Sequence, residues 1–264
     1  MSRNFELLQK LGKEQELLRP GLVEVPSQSV EAVSAPQSAP TSVPAFLAAP
    51  AVIPPVKQEM EEISNLVQQL FLSAGANAPR SVVFTSTESE AGCTWVCGET
   101  AEVFASRIAG TVCVLDANLR RPALAKHFGV ENGPGLSDAL VQMDPIRAFA
   151  RSLSLPNLYL ITAGNSTEAA QGLLTSDRMR LRIAELRSEF DFLLIDASAM
   201  SLANEAIGLG SMSDGVVLVL KANTSRKQGA RQAIQELQGG KAKVLGAVLN
   251  QRKFPIPQAL YKLF

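Results

Sequence analysis

Histidine is almost missing from this chain: His127 is the only one in 264 residues. A histidine-based catalytic triad would have to be built around it, and His127 sits in a basic, polar stretch with no serine-bearing nucleophile elbow. Cysteine is scarce as well. Cys93, Cys97 and Cys113 form neither a paired disulfide framework nor a zinc spacing, which argues against a structural metal site and fits a reducing compartment. Charge of either sign is not in excess, with 25 basic and 25 acidic side chains. A neutral chain exerts no long-range pull on DNA or RNA, so no nucleic-acid partner is expected. The N-terminus lacks the pattern of a signal peptide. The longest apolar stretch, Val43 to Val56, is broken by Pro44, Pro50, Pro54 and Pro55 and is too short to cross a bilayer as a helix. A cytoplasmic protein is therefore expected, with any membrane contact made through a partner.

What is present falls into regions of different composition. Residues 1–19 read as a short N-terminal helix, with Phe5, Leu8, Leu11 and Leu18 roughly on one face and Pro20 and Gly21 as its stop. It is either a frayed tail or a docking helix. Residues 20–57 are rich in Pro, Ala, Ser and Val and nearly uncharged, the composition of a linker that buries too little surface to order itself. A folded domain is expected over 58–253, followed by a short tail, 254–264. Within the domain a helical approach segment covers Glu59–Phe71. Apolar strands are expected at Ser81–Thr85, Thr111–Leu115, Leu158–Thr162, Phe192–Ile195, Gly215–Leu220 and Val244–Leu249, with helices at Thr94–Ser106, Ser176–Ser188 and Lys227–Gln238 among the segments between them. Near-continuous apolar strands alternating with helices indicate an α/β fold, a parallel sheet with helices on both faces. Such folds gather ligand groups at the C-terminal strand ends, where Thr85, Asp116 and Asp196 fall.

The turn after the first strand, Thr85-Ser-Thr-Glu-Ser-Glu-Ala-Gly-Cys-Thr94, has the context of a phosphate-gripping loop. Such a loop needs glycines to let backbone amides wrap the oxygens, a lysine for charge and a hydroxyl for magnesium. Gly92 and Thr94 sit where the glycine and the hydroxyl belong, and the following helix offers its N-terminal amides. Cys93 brings no positive charge, and Glu88 and Glu90 add negative charge near a triphosphate. Two further strands end in aspartate, at Asp116 and Asp196. That pair can hold a hydrated magnesium ion and orient an attacking hydroxyl.

On these residues the chain resembles the bacterial tyrosine kinases (BY-kinases) of capsule and exopolysaccharide export, relatives of the MinD and ParA-type P-loop ATPases, over roughly residues 59–253. The family's loop reads T-S-x-x-P-G-E-G-K-S-T. Thr85, Ser86, Gly92 and Thr94 match it, while Ser89, Glu90 and Cys93 replace its proline, a glycine and the lysine. The family's hydrophobic-D-x-D-L-R-R-P appears as Leu115-Asp116-Ala-Asn118-Leu-Arg-Arg-Pro122, with Asn118 in place of the second acid. Gly135-Leu-Ser-Asp-Ala-Leu140 resembles the G-L-S-D-x-L that follows. Asp196 matches the third-motif aspartate, although Ala-Ser-Ala stands where T-P-P is usual.

The resemblance implies ATP or ADP with magnesium as cofactors, with Asp116 and Asp196 as catalytic residues, vestigial or weak here. Thr94, Asp116 and Asp196 would hold magnesium, and Gly92, Thr94 and Asn250 would contact the nucleotide, Asn250 at the adenine. The family's E-x-x-R-x-x-R helix keeps Glu61 but has Ser64 and Val67 for its arginines. Of the tyrosine cluster in the tail only Tyr261 remains as a possible phosphorylation site, and Tyr159 is the one other tyrosine. The expected partner is the cytoplasmic tail of a membrane polysaccharide chain-length regulator, or an active kinase homologue. The losses point to a pseudokinase or scaffold in exopolysaccharide biosynthesis. An active autokinase with an atypical loop, drawing charge from Arg120, Arg121 or a neighbouring subunit, and a MinD-like interaction module are the alternatives.

Overall fold

The computed structural model describes residues 57–165 and 168–251. The expected N-terminal helix, almost all of the linker, the tail and Tyr261 lie outside the described residues.

Seven strands form one sheet in the order β3-β4-β2-β5-β1-β6-β7. In chain order they are β1 (Ser81–Ser86), β2 (Val112–Asp116), β3 (Arg151–Ser152), β4 (Leu158–Ile161), β5 (Phe192–Asp196), β6 (Gly215–Lys221) and β7 (Val244–Asn250). All neighbours pair in parallel except β3 with β4, which are antiparallel. The helices are α1 (Lys57–Val67), α2 (Cys93–Ala105), α3 (Leu124–His127), α4 (Leu136–Val141), α5 (Glu168–Leu173), α6 (Asp177–Glu189), α7 (Glu205–Ser211) and α8 (Lys227–Gly239). Every strand expected from apolar runs is present within a residue or two. The two-residue β3 and the short helices α3, α4, α5 and α7 carry too little periodicity to be read from sequence.

The strands look continuously apolar because both faces are covered. Val82, Phe84, Val112, Val114 and Leu194 face a core shared with α1 and α2. Their alternates Val83, Cys113, Leu115, Leu193 and Ile195 face a second core with α4, α6 and α7. Period-two alternation thus splits one sheet between two interiors.

The approach helix ends sooner than its pattern implies. α1 stops at Val67 and continues as a π-turn over Gln68–Leu72. Its buried positions Ile63, Val67 and Phe71 are spaced strictly by four. On a 3.6-residue helix that spacing drifts around the axis, and a wider turn returns Phe71 to the core face. There Phe71 stacks on Phe104 of α2, ring centroids 4.2 Å apart, and both rings meet Phe192 edge-on.

The Gly-Leu-Ser-Asp stretch opens α4. The Gly135 amide donates to Asp138 (2.9 Å), and the Leu136 and Ser137 amides donate to the carbonyls of Thr162 and Ala163 beyond β4. A side chain at Gly135 would run into the Thr162 carbonyl. This stretch is a clamp between α4 and the end of β4.

Phe104 is fully buried and holds α1, α2 and β5 together. Phe104→Ala is expected to cost ~3–5 kcal/mol in urea unfolding. A loss under ~1 kcal/mol would show that the aromatic cluster is not a structural centre.

Candidate nucleotide site

Register, not chain proximity, builds this site. β2 pairs with β5 so that Asp116 lies directly opposite Asp196 at the strand ends. The loop between β1 and α2 arches over the same end. Thr94, one residue into α2, donates its hydroxyl to Asp196 Oδ2 at 2.6 Å. Thr85 is held away from the loop, donating to the Ser198 carbonyl (2.8 Å). The structure therefore brings together Gly92, Thr94, Asp116 and Asp196, four of the residues singled out from sequence.

The two aspartates are used differently. Asp116 accepts backbone amides from Asn118 (3.2 Å), Ala123 (3.1 Å) and Leu124 (3.0 Å), so its carboxylate folds the Leu-Arg-Arg-Pro segment around itself. Burial raises its pKa to about 6, against the lowering effect of those amides. Asp196 is also completely buried, and its Oδ1 has no hydrogen-bond partner among the described residues. Burial first, and then the charge of Asp116, push its pKa up to about 8, against hydrogen bonds from Thr94 and Cys93. The Cys93 thiol is itself pushed well above its ordinary value by burial and by Asp196.

The loop is pinned from the far side. Asn250, at the end of β7, donates Nδ2 to the Ala91 carbonyl (2.9 Å), and Gln251 donates Nε2 to the Glu90 carbonyl (3.2 Å). Gly92 has a left-handed backbone, φ 80°, and a side chain there would collide with the Asn250 amide. Glu90 is left-handed too, φ 64°. A glycine accepts that conformation freely, whereas a glutamate carries a cost of about 1 kcal/mol.

Arg120 forms an ion pair with Glu205 at the start of α7, its Nη2 2.9 Å and its Nε 3.2 Å from Oε1. The guanidinium suggested as a substitute charge is thereby engaged elsewhere. Arg121 instead lines a cavity of about 190 Å³ with Glu90, Cys93, Thr94, Asn118 and Leu202. Sequence reasoning missed Glu205, Gln251 and Ser198, whose hydroxyl donates to Asn118 (3.0 Å). Glu205 had one usable signal, an acid opening an apolar helix soon after Asp196. Nothing local marks the other two.

A hydrated magnesium ion fits one half of this arrangement. The Thr94 hydroxyl and the unpartnered, buried oxygen of Asp196 are the hard oxygen donors such an ion takes. The phosphate half fits poorly, because the loop holds a thiol where a cation is needed and its cavity is smaller than most ligand pockets.

No family model matches the chain. Curated proteins do match. The chain is 29% identical to the tyrosine-protein kinase YwqD of Bacillus subtilis (strain 168) over 174 residues, 66% of this chain and 73% of YwqD. It is 26% identical to the putative tyrosine-protein kinase CapB of Staphylococcus aureus over 196 residues, 74% of this chain and 85% of CapB. Among solved structures, the kinase domain of Escherichia coli tyrosine kinase ETK superposes with a TM-score of 0.67 at 22% identity, covering 75% of this chain and 79% of that one. The chain is related in sequence to the BY-kinases, and its fold is that of P-loop ATPase domains. A ParA family ATPase from Chlorobium tepidum shares the fold more distantly, with a TM-score of 0.53 at 20% identity over 66% of this chain and 75% of its own. The longer EpsB of Ralstonia solanacearum, a putative tyrosine-protein kinase, matches over 74% of this chain but only 26% of its own length. Among the described residues no helix is long and apolar enough to cross a membrane.

In this BY-kinase-related domain both aspartates hold their protons more tightly folded than unfolded, where the ordinary value is 3.8. The native state therefore binds more protons than the unfolded chain between about pH 4 and pH 8. Stability is expected to fall as pH rises through that window and to level off above it. Urea midpoints at pH 5 and pH 8 test the sign, and Asp196→Asn is expected to remove most of the difference. An unchanged difference in Asp196→Asn would assign it to other groups.

Proposed function

We propose that this chain is a regulatory or scaffolding relative of the BY-kinases in exopolysaccharide biosynthesis and export, with phosphoryl transfer weak or absent. Homology to BY-kinase domains supports a regulatory role of the kinase-family type. The observation that carries the finer reading is Cys93. It occupies the loop position from which a lysine would neutralise the transferred phosphate, and its thiol stays protonated beside the buried Asp196. Phosphoryl transfer depends almost wholly on positioning and charge stabilisation, so a loop without its cation lacks the main catalytic contribution.

In this reading Asp196 and Thr94 hold any bound magnesium, and Asp116 serves mainly to fold the segment Ala117–Leu124. Asn250 and Gln251 keep the loop in one shape. Such a protein acts through its surfaces, with the cytoplasmic tail of a membrane chain-length regulator or an active kinase homologue as the partner. Tyr261 would be a substrate of that kinase rather than of this chain. A second reading, an ATPase with an atypical loop, rests on Arg121, whose position at the cavity is the one available for a substitute charge.

Calorimetry with Mg-ATP separates the two. Loss of the lysine contact together with the added carboxylates is worth a few kcal/mol, so affinity is expected to be weaker by roughly a hundredfold or more than that of a lysine-bearing loop. Cys93→Lys alone is expected to recover little, because Glu90 still holds a charge and a strained backbone in the loop. Cys93→Lys with Glu90→Gly is expected to recover at least about tenfold. Micromolar binding by the native chain, abolished by Arg121→Ala, would favour the second reading.

A further inference from the structure

The strand ends opposite the nucleotide site frame a second concave surface. A cleft of about 600 Å³ lies between the π-turn that follows α1 and the residues leading into β1, β6 and β7. That volume falls in the range of small-ligand sites, about 300–1,000 Å³. β1 separates the cleft from the nucleotide loop. Arg80 precedes the strand and lines the cleft, while Ser86 ends the strand and lines the loop cavity. The walls of the cleft divide by chemistry. Leu70, Pro79 and Leu245 supply an apolar side, and Arg80, Arg187 and Lys243 supply three cations. Asp214 is the one acid among the described lining residues.

Asp214 is already engaged. Its Oδ2 accepts the backbone amides of Arg80 and Ser81, both at 2.8 Å, and its Oδ1 accepts from Arg187 Nη1 at 3.0 Å. Asp191, which feels the Arg80 charge, is not a lining residue and accepts from the amide and hydroxyl of Thr111 (2.8 and 2.9 Å). Arg80 is held by carbonyls, which position its guanidinium without cancelling its charge. Nε donates to Asp191 (2.9 Å), and Nη2 to Arg187 and Phe190 (both 3.4 Å). Lys243 makes no ion pair among the described residues. Three cations against one acid leave two positive charges in one concavity. Cations that converge in this way repel one another, and an entering oxyanion relieves the repulsion. A guanidinium presents paired N–H donors to a carboxylate or phosphate, and an ammonium adds a point charge.

We propose that this cleft binds a small organic anion, an oxyanion head of carboxylate or phosphate type carried on a short apolar body. The head faces Arg80 and Lys243, and the body lies on Leu70, Pro79 and Leu245. The site is separate from the nucleotide loop and does not depend on whether that loop holds a nucleotide. One wall is the π-turn, whose Phe71 stacks on Phe104 of α2, so an occupied cleft also steadies the end of the approach helix.

Titration of the full chain with hexanoate and with hexyl phosphate, followed by NMR at the Arg80 and Leu245 amides, tests the proposal. At least one of them is expected to bind with a dissociation constant of about 1 mM or tighter, weakening as salt is added. The head that binds more tightly identifies a carboxylic acid or a phosphate ester. Acetate and inorganic phosphate lack the body and are expected to bind at least roughly tenfold more weakly, and hexylamine not at all. Lys243→Glu reverses an exposed charge that makes no ion pair and is expected to weaken binding about fivefold or more. Lys227→Glu makes the same change at the other end of α8 and is expected to leave binding as it was. Failure of both anions to bind at tens of millimolar would overturn the proposal. So would equal weakening by the two lysine variants, or binding of hexylamine as tight as that of hexanoate. Equal binding of acetate and hexanoate, and of the two phosphates, would overturn it too, since the apolar wall would then take no part.

Discussion

The pairing of β2 with β5 sets the chemistry of this molecule, because it places two carboxylates side by side at the mouth of a closed sheet. Neither can move apart without shearing the register, and both lie where water does not reach. Like charges at this range in a poorly polarisable interior repel strongly, so the pair must share protons or attract a cation. The protein resolves the conflict unequally. Three backbone amides converge on Asp116 and make it part of the framework, while Asp196 keeps one oxygen unpartnered. The segment Ala117–Leu124, the first turn of α2 and the cavity between them are all arranged around that division.

Most of this was readable from residue order, for specific reasons. β1, β2, β5 and β6 are short apolar runs because each is covered on both faces, and a run ending in aspartate marks the polar end of a buried strand. Asp116, Asp196 and Thr94 could be placed near one another in advance because the C-terminal ends of adjacent parallel strands and the loop after β1 meet at one end of such a sheet. The π-turn at Gln68–Leu72 could not be foreseen, since strict fourfold spacing looks like an ordinary amphipathic helix until Phe71 meets Phe104. The ion pair of Arg120 with Glu205 was also hidden. It joins residues far apart in the chain, and no local rule connects an arginine after one strand with an acid after another.

The loop holds its shape through contacts that need no phosphate. Gly92 persists because Asn250 occupies the space a side chain would need, and that requirement holds whether or not a nucleotide is bound. Thr94 persists because its hydroxyl satisfies one oxygen of Asp196. Both residues have structural reasons to remain, so their presence says little about phosphate. Cys93 has no such obligation, whereas Glu90 stands at a left-handed backbone that favours glycine.

The left-handed backbone at Glu90 governs how this loop answers to substitution. Asn250 and Gln251 grip the carbonyls of Ala91 and Glu90 and help to hold a glutamate in that conformation. With that grip in place the loop takes its form from β7. A lone lysine at position 93 would arrive in a loop still shaped by glutamate, and a lone glycine at 90 would restore freedom to a loop without charge. The two positions therefore answer for different properties, 93 for the charge in the loop and 90 for its backbone freedom, and a change at one leaves the other as it was.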